Sequence, residues 1–240
     1  MTASGPSPLV LKAGNFFFRY RNLLFPAMFL LLFLVSEPNS FLPESLPERG
    51  FDVAGVLLVI LGQSFRLLVI GYAYIKRGGK EGKVFADKLV IRGFYAHTRN
   101  PMYLGNATIV LGLCLVYQSF LAYALVLPFF LFAYYAIVVA EETYLSARFG
   151  IEYDRYVKTV NRFIPDFRGL RASLVEFRYD WRRALRKDYG NVTLAAMTLL
   201  VLGAREGMSR RGFVAGVVMT VLFYGLARYL KKTGRLSSSN

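Results

Sequence analysis

The chain has 240 residues, of which 55% are hydrophobic, 16% aromatic and 19% charged, with a formal net charge of +15. A mean hydropathy of +0.39 is too high for a typical water-soluble domain and predicts a membrane protein. The lysines and arginines gather between apolar segments and form no readable recognition module, so the expected partner is anionic lipid, and no nucleic acid. A single cysteine, Cys114, and a single histidine, His97, exclude an intrachain disulfide, a cysteine zinc site and a histidine-rich metal centre, and no metal is expected.

In chain order, residues 1–13 are small and proline-containing and are expected to be weakly ordered. MTASGPSP has no basic region leading into a short apolar core and a cleavage site, so the first apolar run is expected to be an anchor rather than a removable leader. That run, Phe16 to Val35, predicts a first helix with Pro26 as a possible kink. Residues 36–50 carry three prolines and three glutamates (SEPNSFLPESLPERG) and read as a loop. A second spanning helix is predicted from about Phe51 to Ile75. It contains Arg66, which is costly in a membrane and should pair with a buried acid or face the site.

Residues 76–99 form a basic, glycine-rich loop. Asn100-Pro101 then suits a helix start, since asparagine caps well and proline fits the first turn. A third helix runs to about Tyr117, turns at Gln118-Ser119, and returns as a fourth helix over Phe120 to Ala140, with Pro128 as an expected kink. Residues 141–160 read as a polar helix broken at Gly150. The arginine- and aromatic-rich stretch 161–190, with Trp181, fits the membrane interface. Two further apolar runs, 191–204 and 212–230, form a C-terminal helical pair; the former is short for a span unless flanking residues extend it.

Charge predicts sidedness. Loop 76–99 has seven basic residues (Lys76, Arg77, Lys80, Lys83, Lys88, Arg92 and Arg99), whereas loop 36–50 has Arg49 alone. Both termini on the cytoplasmic side fits this bias, against Arg205, Arg210 and Arg211 in the last connection.

The chemistry is expected where the third and fourth helices begin and end. RNPMYLG, Arg99 to Gly105, opens the hairpin, and Glu141-Glu142 closes it, so both return to one membrane face. A helix start offers free N–H groups and a positive dipole end. Paired carboxylates suit a ribose diol, an ammonium group or the surroundings of a sulfonium. They are unfavourable where a helix stops, and a local rule broken without compensation points to function.

KLVIRGFYAHTRNPMYLG, an apolar hairpin, and EETYLSARFGIEYDRYVKTVNRFIP together resemble the isoprenylcysteine carboxyl methyltransferase and phospholipid methyltransferase superfamily over about residues 88–166. The resemblance implies an integral membrane enzyme using S-adenosylmethionine. It implies a cofactor pocket lined by His97, Arg99, Asn100, Pro101, Tyr103, Glu141 and Glu142. Asn100 stands where the carboxyl methyltransferases usually have histidine, and is more like the lipid-amine enzymes. Arg99 or Arg162 could position a carboxylate acceptor, and Glu142 could take the proton of an amine; Tyr153 and Tyr156 are substrate-contact candidates.

The expected fold is therefore an all-α membrane bundle of four spanning helices and a C-terminal pair. Its expected parts are the N-terminal helices and basic loop (1–87), the methyltransferase core (88–166) and the C-terminal segment (167–240). The acceptor is a lipid amine or a prenylcysteine carboxylate. A nicotinamide-dependent reductase of related architecture and a non-catalytic lipid-binding protein are the alternatives.

Overall fold

The computed structural model describes residues 5–37, 48–72, 84–205 and 207–236. Residues 38–47 of the loop expected at 36–50, the KRGGKEGK stretch through residue 83 and the second helix beyond Tyr72 lie outside the described residues, while residues 48–50 of that expected loop are already helical. Among those described there are helices and no strands. Four helical segments are long and apolar enough to cross a membrane: Pro8–Val35, Gly50–Tyr72, Ala122–Phe149 and Arg210–Lys232. A fifth apolar helix, Pro101–Tyr117, is shorter.

Helix α1, Pro8–Val35, starts eight residues before the expected Phe16, so the prediction of weak order through residue 13 fails from Pro8 onward. Proline at the first helical position has no N–H to leave unpaired. Gly14 lets this added length approach α4, where a Cβ would collide with the Ala136 backbone. Phe25 then meets Phe130 and Tyr134 of α4 at ring-centroid distances of 4.8 and 5.3 Å. Helix α1 runs through Pro26 without a break.

Helix α2, Glu48–Tyr72, packs most closely on α3, Pro101–Tyr117. Small residues set that contact. A Cβ on Gly62 would stand 2.7 Å from the Gly105 carbonyl oxygen, and one on Gly55 would stand 2.6 Å from that of Gly112. The two pairs are seven residues apart on each helix, so the backbones meet along one stripe, the usual route to tight helix association in lipid. The stop of α3 is as predicted: Gln118 takes the left-handed conformation at φ +51°. Its amide donates to Asp52 Oδ1 at 2.8 Å, which ties the turn to α2.

The return helix begins at Phe120 and passes through a π-helical turn at Ala122–Val126 before α4, Leu127–Phe149. Pro128 lacks an N–H, and the widened turn just before it is how the helix absorbs that loss. Helix α4 does not end at Ala140. It carries Glu141 and Glu142 within its length and stops at Gly150, whose φ of +50° suits glycine. The acidic pair is therefore two turns inside a helix, and the expectation that it faces an unfavourable dipole end is corrected.

After α5 (Ile151–Thr159) and the short α6 (Leu170–Val175), α7 spans Trp181–Arg205. The apolar run from 191 is thus extended at its start through the basic segment. Asp180 caps α7, accepting from the Arg183 N–H at 2.8 Å. Arg183 in turn donates to the Ile70 and Gly71 carbonyls at 3.0 and 2.6 Å, satisfying groups near the end of α2. Helix α8, Arg210–Lys232, returns beside α7, with the Tyr189 and Tyr224 rings 5.4 Å apart.

Helices α1, α3 and α7 thus run one way and α2, α4 and α8 the other. Both ends of the helical series, Pro8 and Lys232, lie at the end of the bundle that holds Asn100. The opposite end is tied by Ser119 Oγ donating to Ser36 Oγ at 3.1 Å and by Arg205, which is 3.7 Å from Glu37 and 4.3 Å from the Phe33 ring. Arg205, an exception to the expected charge bias, thus has local partners. Leu34 at 73% and Met219 at 71% exposure mark α1 and α8 as apolar outer faces, which suits contact with lipid tails.

Candidate functional site

The motif segment His97–Asn100 is clasped by the chain after α5. The Arg99 N–H donates to the Asn161 carbonyl at 2.9 Å, and the Asp166 N–H to the His97 carbonyl at 3.0 Å. Thr98 Oγ1 donates to the Arg162 carbonyl at 3.2 Å. Both His97 ring nitrogens are engaged, Nδ1 with the Asp166 carbonyl and Nε2 with Ser173 Oγ at 3.0 Å. This clasp brings the NRFIP segment, remote in sequence, against the start of α3. Arg168 beside Asp166 holds that carboxyl down at about 2.

Asn100 occupies the N-cap position of α3, but its side chain does not cap the helix. Its Nδ2 donates instead to Glu142 Oε1 and to the Arg162 carbonyl, each at 3.2 Å. The residue chosen for its capping habit thus bridges α3, α4 and the clasp. Pro101 is buried behind it at the first turn.

Glu142 is the hub. Arg162 donates to its Oε2 from Nε at 3.0 Å and from Nη2 at 2.7 Å, a paired fork geometry. Arg99 Nε lies 3.1 Å from Oε1 as an ion pair, although its N–H is not aligned for a hydrogen bond. Both oxygens of Glu142 are therefore committed to protein groups. Burial opposes the charge on Arg162, but the hydrogen bonds and charge of Glu142 outweigh it and raise its pKa. Glu141, one residue back, is only partly buried and accepts from the Tyr103 hydroxyl at 2.8 Å.

These groups stand at one end of a cavity of about 1430 Å³ enclosed by α1, α2, α3, α4 and α7. Arg99, Asn100, Tyr103, Glu141, Glu142, Tyr153 and Tyr156 line it; His97, Pro101 and Arg162 do not. Segment 84–92 lines the same end, with Phe85 held 5.6 Å from the Arg148 guanidinium. The cavity then passes a middle band of Gln63, Arg66, Asn106 and Asn191 and continues among apolar side chains such as Leu113, Phe130 and Leu202. Charged at one end, with a polar band midway and apolar side chains beyond it, the cavity has the form of a site for an amphiphile.

Tyr153 and Tyr156 are buried, with rings 6.0 Å apart. Burial first, and then neighbouring Glu142 for Tyr153 and Tyr95 for Tyr156, push both phenols above the ordinary value of 10.0. They are neutral donors at physiological pH, and Tyr156 donates to the Tyr95 carbonyl at 2.7 Å. Arg66 has the buried acid expected for it. Its guanidinium pairs with Asp188 of α7 and also donates to Asn106. Sequence reasoning did not reach Asp188 or Asn191. The only signal was one acid at the junction of a basic run and an apolar run.

Among the described residues no cluster of histidine, cysteine, aspartate and glutamate could hold a metal ion. Neither the curated proteins nor the solved structures compared with the chain gave a match. Residues 51–152 match the family model for phospholipid methyltransferases. That stretch begins within α2, includes all of α3 and α4, contains RNPMYLG and the acidic pair, and does not favour a nicotinamide-dependent reductase. With its long apolar helices, the chain carries over residues 51–152 a stretch similar to the phospholipid methyltransferases, a family of integral membrane methyltransferases.

Proposed function

We propose that this protein transfers a methyl group from S-adenosylmethionine to the amine of a membrane lipid. One observation carries the reading: the RNPMYLG helix start and the acidic pair, with Arg162 holding Glu142 from behind, converge at the charged end of a long cavity that continues among apolar side chains. The phospholipid methyltransferase match and Asn100 support an amine over a prenylcysteine carboxylate.

The donor set fits a cofactor that is both zwitterionic and cationic. Arg99 supplies a guanidinium for a carboxylate, and Glu141, steadied by Tyr103, supplies negative charge for an ammonium or sulfonium. When bound, the cofactor supplies an already electrophilic methyl group. The chain's task is then to hold a nucleophile in line and keep water out. Arg99, Asn100, Tyr103 and Glu141 reach the cavity from the motif and are the proposed cofactor residues. Glu142, with both oxygens engaged, acts as the positioning residue for Arg99, Asn100 and Arg162, while His97 and Pro101 fix the backbone beneath them. An acceptor amine has to shed a proton, and Glu141, a carboxylate that lines the cavity, is the proposed acceptor. Tyr153 and Tyr156, kept neutral, form a wall for the acceptor. The acyl chains would run along the apolar length, and the site would face the cytoplasm.

Calorimetric titration of the purified, detergent-solubilised protein with S-adenosylhomocysteine tests this reading. Micromolar-range binding that is lost in Asn100→Ala and Glu141→Ala is expected. No binding by folded protein would overturn the cofactor assignment.

A further inference from the structure

Arg21 is a cation within the span of α1, half-buried and lining the cavity, that the proposed cofactor residues do not use. An arginine inside an apolar span is costly unless it meets an acid, water or a polar ligand. Arg66, its counterpart in α2, has Asp188. Arg21 has no carboxylate, carbonyl or hydroxyl acceptor among the described residues; its guanidinium lies 4.1 Å from the centroid of the buried Phe18 ring. A ring face attracts the charge but leaves the N–H donors without an ordinary acceptor. Arg19, two residues before it, is a natural contrast: it is exposed, lies 5.4 Å from the Tyr20 ring and takes no part in the cavity wall.

We propose that Arg21 binds the phosphodiester of the acceptor lipid, so that the protein takes phospholipid amines in preference to phosphate-free ones. A guanidinium offers paired N–H groups that match two phosphate oxygens. Lys187 of α7 lines the same cavity and adds a second positive charge, whereas Asp188 beside it is 0% exposed and committed to Arg66. Depth agrees with this charge. Gly14 packs on Ala136 and Ala140 of α4, level with the turn that begins Glu141-Glu142. The Arg21 guanidinium leans back over Phe18. Phe18 is four residues beyond Gly14, so the guanidinium stands about 6 Å from the acidic pair along the bundle axis at the ordinary helical rise. That step suits an ethanolamine headgroup with its amine at Glu141 and its phosphate at Arg21. Farther along α1 the cavity wall is Phe25, Phe29 and Phe33, where acyl chains would lie. Arg21 precedes residues 51–152, so the family match does not supply this assignment.

The inference rests on the methyltransferase reading for the amine end of the lipid, but its test reads binding. Hexadecyl phosphoethanolamine and aminoethyl hexadecyl ether differ only in the phosphodiester. Wild-type protein in a neutral detergent should bind the phosphate lipid about tenfold more tightly than the ether. The preference should fall below about twofold in Arg21→Gln and persist in Arg19→Gln, which removes the same charge from an exposed position. Equal binding of the two lipids by wild type, a preference that survives Arg21→Gln, or one lost equally in Arg19→Gln would overturn the assignment; the wild-type comparison requires no variant to fold. Inorganic phosphate and N-acetyl-S-farnesylcysteine serve as competitors. Displacement of the phosphate lipid by either at equal concentration, weaker in Arg21→Gln than in wild type, would move Arg21 to a free anion or a carboxylate and overturn the lipid phosphodiester; its absence supports it. Titration of the same samples with S-adenosylhomocysteine separates the two failures. Cofactor binding without phosphate preference sinks only this inference, and phosphate preference without cofactor binding sinks the methyltransferase reading alone.

Discussion

Glu142 shows how the surroundings of one side chain bear on the task proposed for it. As one of two adjacent carboxylates it was a candidate proton acceptor; in the folded chain its oxygens are shared among Asn100, Arg99 and Arg162. If it positions those groups, Glu142→Gln should raise the KM for S-adenosylmethionine at least about tenfold by loosening two guanidiniums, with the KM for the lipid little changed. Steady-state kinetics with each substrate varied in turn checks this, and circular dichroism confirms the fold. The two buried tyrosines make a second prediction. Their folded pKa values lie above the ordinary 10.0, so the unfolded chain loses these protons first as pH rises. Their contribution to stability is complete below pH 10 and is lost as pH climbs from there through the raised folded values. Thermal midpoints should therefore hold steady up to about pH 10 and then fall, and the Tyr153→Phe/Tyr156→Phe double variant should fall less steeply.

At the scale of elements, two contacts place the cavity walls. The Gly62–Gly105 and Gly55–Gly112 approaches set the distance between α2 and α3. Gly62→Leu forces a side chain against backbone and should cost about 1–3 kcal/mol, seen as a lower thermal midpoint in detergent. The Arg66–Asp188 pair joins α2 to α7. Asp188→Ala leaves a buried guanidinium without its partner and should cost about 3–5 kcal/mol, whereas the Arg66→Met/Asp188→Leu double variant should recover most of it. Denaturant titration of the single and double variants measures the difference.

At the scale of the whole molecule, the six long helices among the described residues alternate in direction and return the last of them to the end that holds the candidate site. The excess of lysine and arginine at that end predicts a cytoplasmic location. A reporter fused at Asn240 should therefore read cytoplasmic, and protease accessibility of the fusion in sealed vesicles checks it. The sequence by itself determined the class of fold, because apolar runs and their breakers are local properties. It determined the span of α3 and the turn after it to the residue, through Asn100-Pro101 at one end and Gln118-Ser119 at the other. It also brought RNPMYLG and the acidic pair to one face, since a hairpin has to return. Local pattern misjudged where α1 starts and where α4 ends, because the Gly14 approach to Ala136 and the glycine break at position 150 outweigh a change in polarity. Only the tertiary structure decided that Asn100 leaves its own helix to reach Glu142, that Arg162 closes on the pair from 20 residues away, and that Asp188 meets Arg66 across 122 residues. Such partnerships join elements that have no fixed spacing in the chain. Their energetic reason, that a buried polar group has to find a partner, says that one exists without saying which.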